Sequence, residues 1–149
     1  MPGASRTVFY LVRHGEAEAP GGGDDQARRL TAAGRAAFAA LARVLAPSLP
    51  LRRIVASPSV RARETAEILA AATGAPAAEE PALAPGRSAA EALLVRGREA
   101  GDGVALVGHN PEMGEAVARA GPVERMPAGS VAAVEATGGG FRLLWIRSP

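Results

Sequence analysis

Thr7-Val8-Phe9-Tyr10-Leu11-Val12 is a short apolar run that stops abruptly at Arg13-His14-Gly15. An unbroken run of this length, without apolar–polar alternation, predicts a strand buried on both faces, as inside a parallel sheet. Arg53-Ile54-Val55-Ala56 and Val104-Ala105-Leu106-Val107 are two further short strands of this kind. Helix signals separate them. Thr31 reads as the N-cap of a helix through about Ala46, stopped by Pro47 and Pro50. Ser57 reads as a cap, with Pro58 at the first position of a helix reaching about Ala72 and closing at Gly74. Ser88 caps a helix to about Ala100, and Pro111 begins one through about Ala120. Residues 15–30 are a Gly-, Pro- and Asp-rich loop, and a short strand is expected near Ala77–Glu79. Val131–Glu135, a glycine turn at 138–140 and Phe141–Ile146 predict a closing hairpin.

Strands alternating with helices predict an α/β protein: a three-layer α/β/α sandwich around a mostly parallel mixed sheet. A chain of 149 residues is one domain's worth, so residues 1–149 are expected to form a single domain. About half the residues are hydrophobic but only five are aromatic, so Ala, Leu and Val must fill the core. The absence of cysteine excludes disulfides, thiolate metal sites and cysteine nucleophiles. Every Lys/Arg position is arginine, a bias that matches the abundance of Ala, Gly and Pro and points to base composition. The arginines are scattered among glutamates, with no basic stripe, so nucleic acid is not an expected partner. The first residues lack the order of a secretory signal, and no apolar run approaches the ~20 residues of a membrane span. A soluble cytoplasmic protein without a membrane partner is the expectation.

The chain has two histidines, His14 and His109, each just past the carboxyl end of a predicted buried strand. That edge of an α/β sheet is where ligands bind. Gly15 and Gly108 beside them would let backbone amides approach a ligand. Arg61 falls in the first turn of the helix after the second strand. A cation there is a mild misfit with the helix dipole, which a bound anion would resolve; the alternative is a surface pair with Glu64 or Glu67. Two histidines with Arg13 and Arg61 at one edge suit a dianionic phosphoryl group, since guanidinium forks match phosphate oxygens. Neighbouring cations would keep His14 neutral, with a lone pair free to attack phosphorus.

Arg13-His14-Gly15 after an apolar strand resembles the hallmark of the histidine phosphatase superfamily, the phosphoglycerate mutase-like proteins. Leu30-Thr31-Ala32-Ala33-Gly34, Ser57-Pro58 with Arg61 and Thr65-Ala66, and Val107-Gly108-His109-Asn110-Pro111 resemble its other motifs in the expected order. The resemblance implies a phosphoglycerate mutase-like fold and a phosphatase without cofactor. It implies His14 as the nucleophile that becomes phosphohistidine, Arg13 and Arg61 as the clamp, and His109 completing it.

The mutase pattern is broken in two places. Six positions after His14 stands Pro20 where mutases carry asparagine, and Ala82–Arg87 lacks their general-acid glutamate. The short chain, Arg28-Arg29-Leu30-Thr31 and the ending Leu144–Pro149 resemble the SixA branch of phosphohistidine phosphatases. Arg28 is then a candidate substrate contact, as are Gly15, Glu16 and Asn110. Glu16 could donate a proton or pair with a pocket arginine. Without a dedicated acid, cleavage of a phosphoramidate P–N bond is favoured, because protonated imidazole leaves far more readily than an alkoxide. The expected substrate is protein phosphohistidine. The alternatives are a small-molecule phosphomonoesterase acting on a sugar phosphate or nucleotide, and a non-catalytic phosphate-binding module. A metal site on the two histidines ranks last, for want of nearby carboxylate ligands. Residues 16–29 and 82–90 are expected to rim an open mouth. Met113, Met126 and Trp145 read as packing, and Asn110-Pro111 as shaping the His109 loop.

Overall fold

A computed structural model describes residues 6–149; the opening residues read above for a secretory signal lie largely outside it. Six strands, β1 (Thr7–Arg13), β2 (Arg53–Ala56), β3 (Ala77–Glu79), β4 (Val104–Gly108), β5 (Val131–Thr137) and β6 (Gly140–Arg147), form one sheet in the order β3-β2-β4-β1-β5-β6. The pairs β2–β3, β2–β4 and β1–β4 are parallel, while β5 and β6 add an antiparallel hairpin beside β1. The continuous apolar runs have the expected cause. β4 is buried throughout, and Phe9 to Val12 of β1 are buried on both faces.

Four helices, α1 (Ala32–Leu45), α2 (Val60–Thr73), α3 (Ala90–Ala100) and α4 (Glu112–Ala120), cover the two faces. Strand alternation decides which residue meets which layer. Tyr10 and Val12 join Phe38 and Leu45 of α1 and Ala62 and Leu69 of α2. Phe9 and Leu11 join Leu93 and Leu94 of α3 and Met113 and Val117 of α4. Met113 and Met126 are buried core, and Trp145 packs on Tyr10 with ring centroids 6.1 Å apart. Among the described residues no helix is long and apolar enough to cross a membrane.

Thr31 caps α1 as read, accepting the Gly34 amide hydrogen at 2.8 Å, and Gly74 ends α2 at φ 81°. Two expected caps are corrected. Ser57 is not the cap of α2: its amide bonds the Val107 carbonyl at 3.0 Å and so prolongs the sheet edge. The helix therefore starts two residues later, after Ser59. Ser88 does not cap α3; its hydroxyl donates to the Ala82 carbonyl at 2.7 Å, closing the 82–88 loop, and Ala89 stands at the helix start.

Candidate active site

The carboxyl ends of three adjacent strands meet in register, with Arg13 opposite Gly108 and Ala56 opposite Val107. His14, Ser57 and His109 therefore emerge side by side. A cleft of about 360 Å³ opens there, lined by Arg13, His14, Gly15, Glu16, Ala17, Arg28, Arg61, Pro85, His109, Asn110 and Ala128. Eight of the nine residues singled out in the sequence line it; Gly108 does not. The expected rims supply Glu16, Ala17, Arg28 and Pro85, while Ala128, from the loop before β5, went unread.

His14 is held in one tautomer. Its Nδ1 lies 2.7 Å from the Gly15 carbonyl, which can only accept, so the hydrogen is on Nδ1 and Nε2 carries an unprotonated lone pair. Arg61 Nε points at that Nε2 from 3.4 Å. Burial, then the charges of Arg61, Arg13 and Arg28, push His14 down to about 4, against the opposing pull of the Gly15 bond. The cations act as anticipated, but burial is the larger cause. His109 stands beside it with ring centroids 5.1 Å apart, and burial first, then His14 and Arg61, push it down to about 3.

Both depressed histidines bear on stability. Below pH 6.5 the unfolded chain binds protons that the fold refuses, so stability falls as pH drops from 6.5 towards the folded values. Each group contributes a slope of up to about 1.4 kcal/mol per pH unit in that window. The expected result is a melting temperature that drops steeply between pH 6.5 and 4.5, and less steeply in His109→Asn. Equal slopes in scanning calorimetry would remove His109 from this account.

Arg13 sends Nη1 to the Met126 carbonyl at 2.9 Å. Its Nε and His109 Nδ1 are, among the described residues, the buried side-chain nitrogens and oxygens without a hydrogen-bond partner. Buried polar groups are normally paired, and these two flank His14. Arg61 is buried on α2, but neither Glu64 nor Glu67 pairs with it. Its partner is Asp25, which accepts Nη1 on its carbonyl at 2.8 Å and Nη2 on its carboxylate at 3.2 Å. Asp25 also takes Arg28 Nε at 2.8 Å, and that bond, ahead of the Arg61 charge, holds its carboxyl below the ordinary range.

Three site readings are corrected. Gly15 does not offer its amide to a ligand: the amide donates to Thr65 Oγ1 at 3.0 Å, and Thr65 donates on to the Arg61 carbonyl at 2.8 Å. Glycine is favoured there because a Cβ would sit 3.3 Å from Leu30 Cδ2. Gly108 likewise makes room for Met113, whose Cε a Cβ would meet at 2.8 Å. Glu16 pairs with no arginine; its Oε1 accepts the Thr31 hydroxyl at 2.7 Å. The backbone of Glu16 crosses α1 so closely that a Cβ on Gly34 would fall 2.3 Å from the Glu16 carbonyl oxygen. The Leu-Thr-x-x-Gly stretch thus seats the His14 loop on the helix.

Asn110 shapes the loop as expected, accepting the Gly114 amide at 2.9 Å and donating to the Met126 carbonyl at 3.2 Å. Three contributors were missed. Ser57 Oγ lies 2.8 Å from His109 Nε2, with Ser59 Oγ at 3.3 Å from the same atom. Asp25 is the second. Glu112, buried at the start of α4, is the third: it accepts the Gly86 amide at 2.7 Å and so fixes the loop that carries Pro85. Among the described residues no group of three or more His, Asp or Glu side chains is arranged to hold a metal ion.

A family model described as the histidine phosphatase superfamily (branch 1) matches residues 9–85. The fold is similar to that of the Agrobacterium tumefaciens protein assigned as phosphohistidine phosphatase SixA, at 26% identity and a TM-score of 0.81, over 96% of this chain and 98% of that one. It is similar to a protein histidine phosphatase SixA solved with tungstate, at 25% identity and a TM-score of 0.80, over 96% and 97% of the two chains. The mycobacterial glucosyl-3-phosphoglycerate phosphatase Rv2419c shares the fold at 21% identity and a TM-score of 0.68, over 94% of this chain and 98% of that one. No curated protein sequence matches the chain.

Proposed function

The chain belongs to the histidine phosphatase superfamily and is a phosphatase, and from that premise we propose that it hydrolyses phosphohistidine on proteins, with His14 as nucleophile. The observation that carries this reading is the state of His14: neutral, its Nδ1 committed to the Gly15 carbonyl and its Nε2 lone pair facing Arg61. Arg13 and Arg61 hold the phosphoryl oxygens, and His109, oriented by Ser57, completes the clamp. The Nε2 lone pair forms a bond to phosphorus as the substrate P–N bond breaks. The departing electron pair stays with a ring already protonated at its other nitrogen, which leaves as neutral imidazole. Water then attacks phosphorylated His14, releasing inorganic phosphate and restoring the lone pair.

The carboxylates at the cleft support a phosphoramidate substrate. Glu16 is tied to Thr31, and Asp25 is held ionised between two arginines. An ionised Asp25 is no ready proton donor, and an alkoxide leaving group needs one more than imidazole does. The names of the two SixA proteins point the same way.

The test is a rate comparison, in chelator, between phosphohistidine on a carrier protein and a simple aryl phosphate, with His14→Ala as control. Preference for phosphohistidine by about tenfold or more in kcat/KM is the expected result. Preference for the ester would turn the assignment to a small-molecule phosphatase. Turnover of neither, with phosphate still bound, would leave a phosphate-binding module.

A further inference from the structure

We propose that Asp25 is the resident counter-anion of the phosphoryl clamp, occupying Arg61 between turnovers and competing with phosphate, so that it weakens product binding and hastens release. This role rests on the phosphoryl group binding between Arg13, His14 and Arg61, as proposed above.

The contacts are lopsided in a way that suits displacement. The Arg61 side chain is 4% exposed, whereas that of Asp25 is 53% exposed. One residue supplies both partners of the Arg61 fork: the Asp25 carbonyl at 2.8 Å and its carboxylate at 3.2 Å. The same carboxylate accepts Arg28 Nε at 2.8 Å, so it bridges two cations of the cleft. Asp25 opens a short 3-10 turn, Asp25–Ala27, and a Cβ placed on any of the glycines before it at 21, 22 and 23 would meet only open space within 4 Å. A buried guanidinium with an exposed loop acid as its anion holds that anion by charge rather than by packing.

Charge balance gives the exchange a direction. Arg13, Arg28 and Arg61 carry three positive charges around two histidines that stay neutral. Asp25 removes one, leaving two, which matches a dianionic phosphoryl group. Without Asp25 the cleft would over-match the dianion and hold inorganic phosphate more tightly. Tight binding of product lowers turnover without aiding the chemical step. The Arg28 bond, then the Arg61 charge, hold the Asp25 carboxyl below its ordinary range, which favours the anion.

A residue that merely positions Arg61 would behave oppositely, because its loss would disorder the clamp and weaken phosphate binding. Inorganic phosphate is titrated by calorimetry into the intact protein, Asp25→Asn and Asp25→Ala at one ionic strength. Asp25→Asn keeps the backbone carbonyl contact and removes only the charge. Both variants are expected to bind phosphate about tenfold more tightly, with product inhibition moving in parallel. Unchanged or weaker binding in both would overturn the role. If wild type and variants alike bind no phosphate, the phosphoryl site itself falls and Asp25 with it. If the variants bind more tightly while an aryl phosphate is the better substrate, the substrate assignment alone falls.

Discussion

His14→Ala is expected to lower turnover of phosphohistidine by about 10⁴-fold or more, the scale seen when a covalent nucleophile is removed. No neighbouring group can take its place. Ser57 is fully buried with its hydroxyl 2.8 Å from His109 Nε2. Glu16 Oε1 accepts the Thr31 hydroxyl, and His109 is 3% exposed, its Nε2 engaged by Ser57 and Ser59. The variant keeps Arg13, Arg28 and Arg61, so phosphate binding survives while chemistry does not. Rapid mixing with labelled substrate, quenched in base, reads this directly: wild type carries transient label on His14, the variant none. More than a hundredth of wild-type turnover in the variant would mean that water or another group attacks phosphorus unaided.

Arg61→Ala is expected to lower kcat by about 10²–10³-fold, and Arg61→Lys to recover little of it. Arg61 Nε lies 3.4 Å from His14 Nε2, so a phosphoryl group attacked by that nitrogen would have its charged oxygens against this guanidinium. A lysine restores the charge without the planar fork that matches two phosphoryl oxygens. Arg28 lies further out and is expected to matter less, with Arg28→Ala raising KM about tenfold and leaving kcat within about threefold. Steady-state kinetics on the three variants separate these patterns. Equal losses for Arg28 and Arg61 would contradict the assigned geometry.

The placement of His14, Arg13 and His109 was legible because it depends on strand ends, which apolar runs mark plainly. Arg61 was legible because its place in the first turn of a helix conflicts with the helix dipole. Its partner was not. Residue 25 sits in a stretch without periodicity, 36 positions from Arg61, and nothing local shows that the loop folds back over the sheet edge. The reading of Ser57 as a cap followed a sound local rule that tertiary structure overrode: just past the end of β2 the Ser57 amide bonds the Val107 carbonyl, which carries the hydroxyl to His109 instead of to α2. Gly15 was read as offering its amide to a ligand, but that amide serves Thr65 and its missing side chain makes room for Leu30.

The amino-acid sequence by itself determined the layers, the parallel centre of the sheet and the edge where chemistry lies, because hydrophobic period and turn residues act over a few positions. Only the tertiary structure decided the tautomer of His14, the partner of Arg61, the hydroxyl on His109 and the buried Glu112 that fixes the Pro85 loop. Those features are hydrogen bonds between groups far apart in the chain. Each depends on tenths of an ångström and a direction, which packing sets once the backbone is in place and which no local pattern of residues encodes.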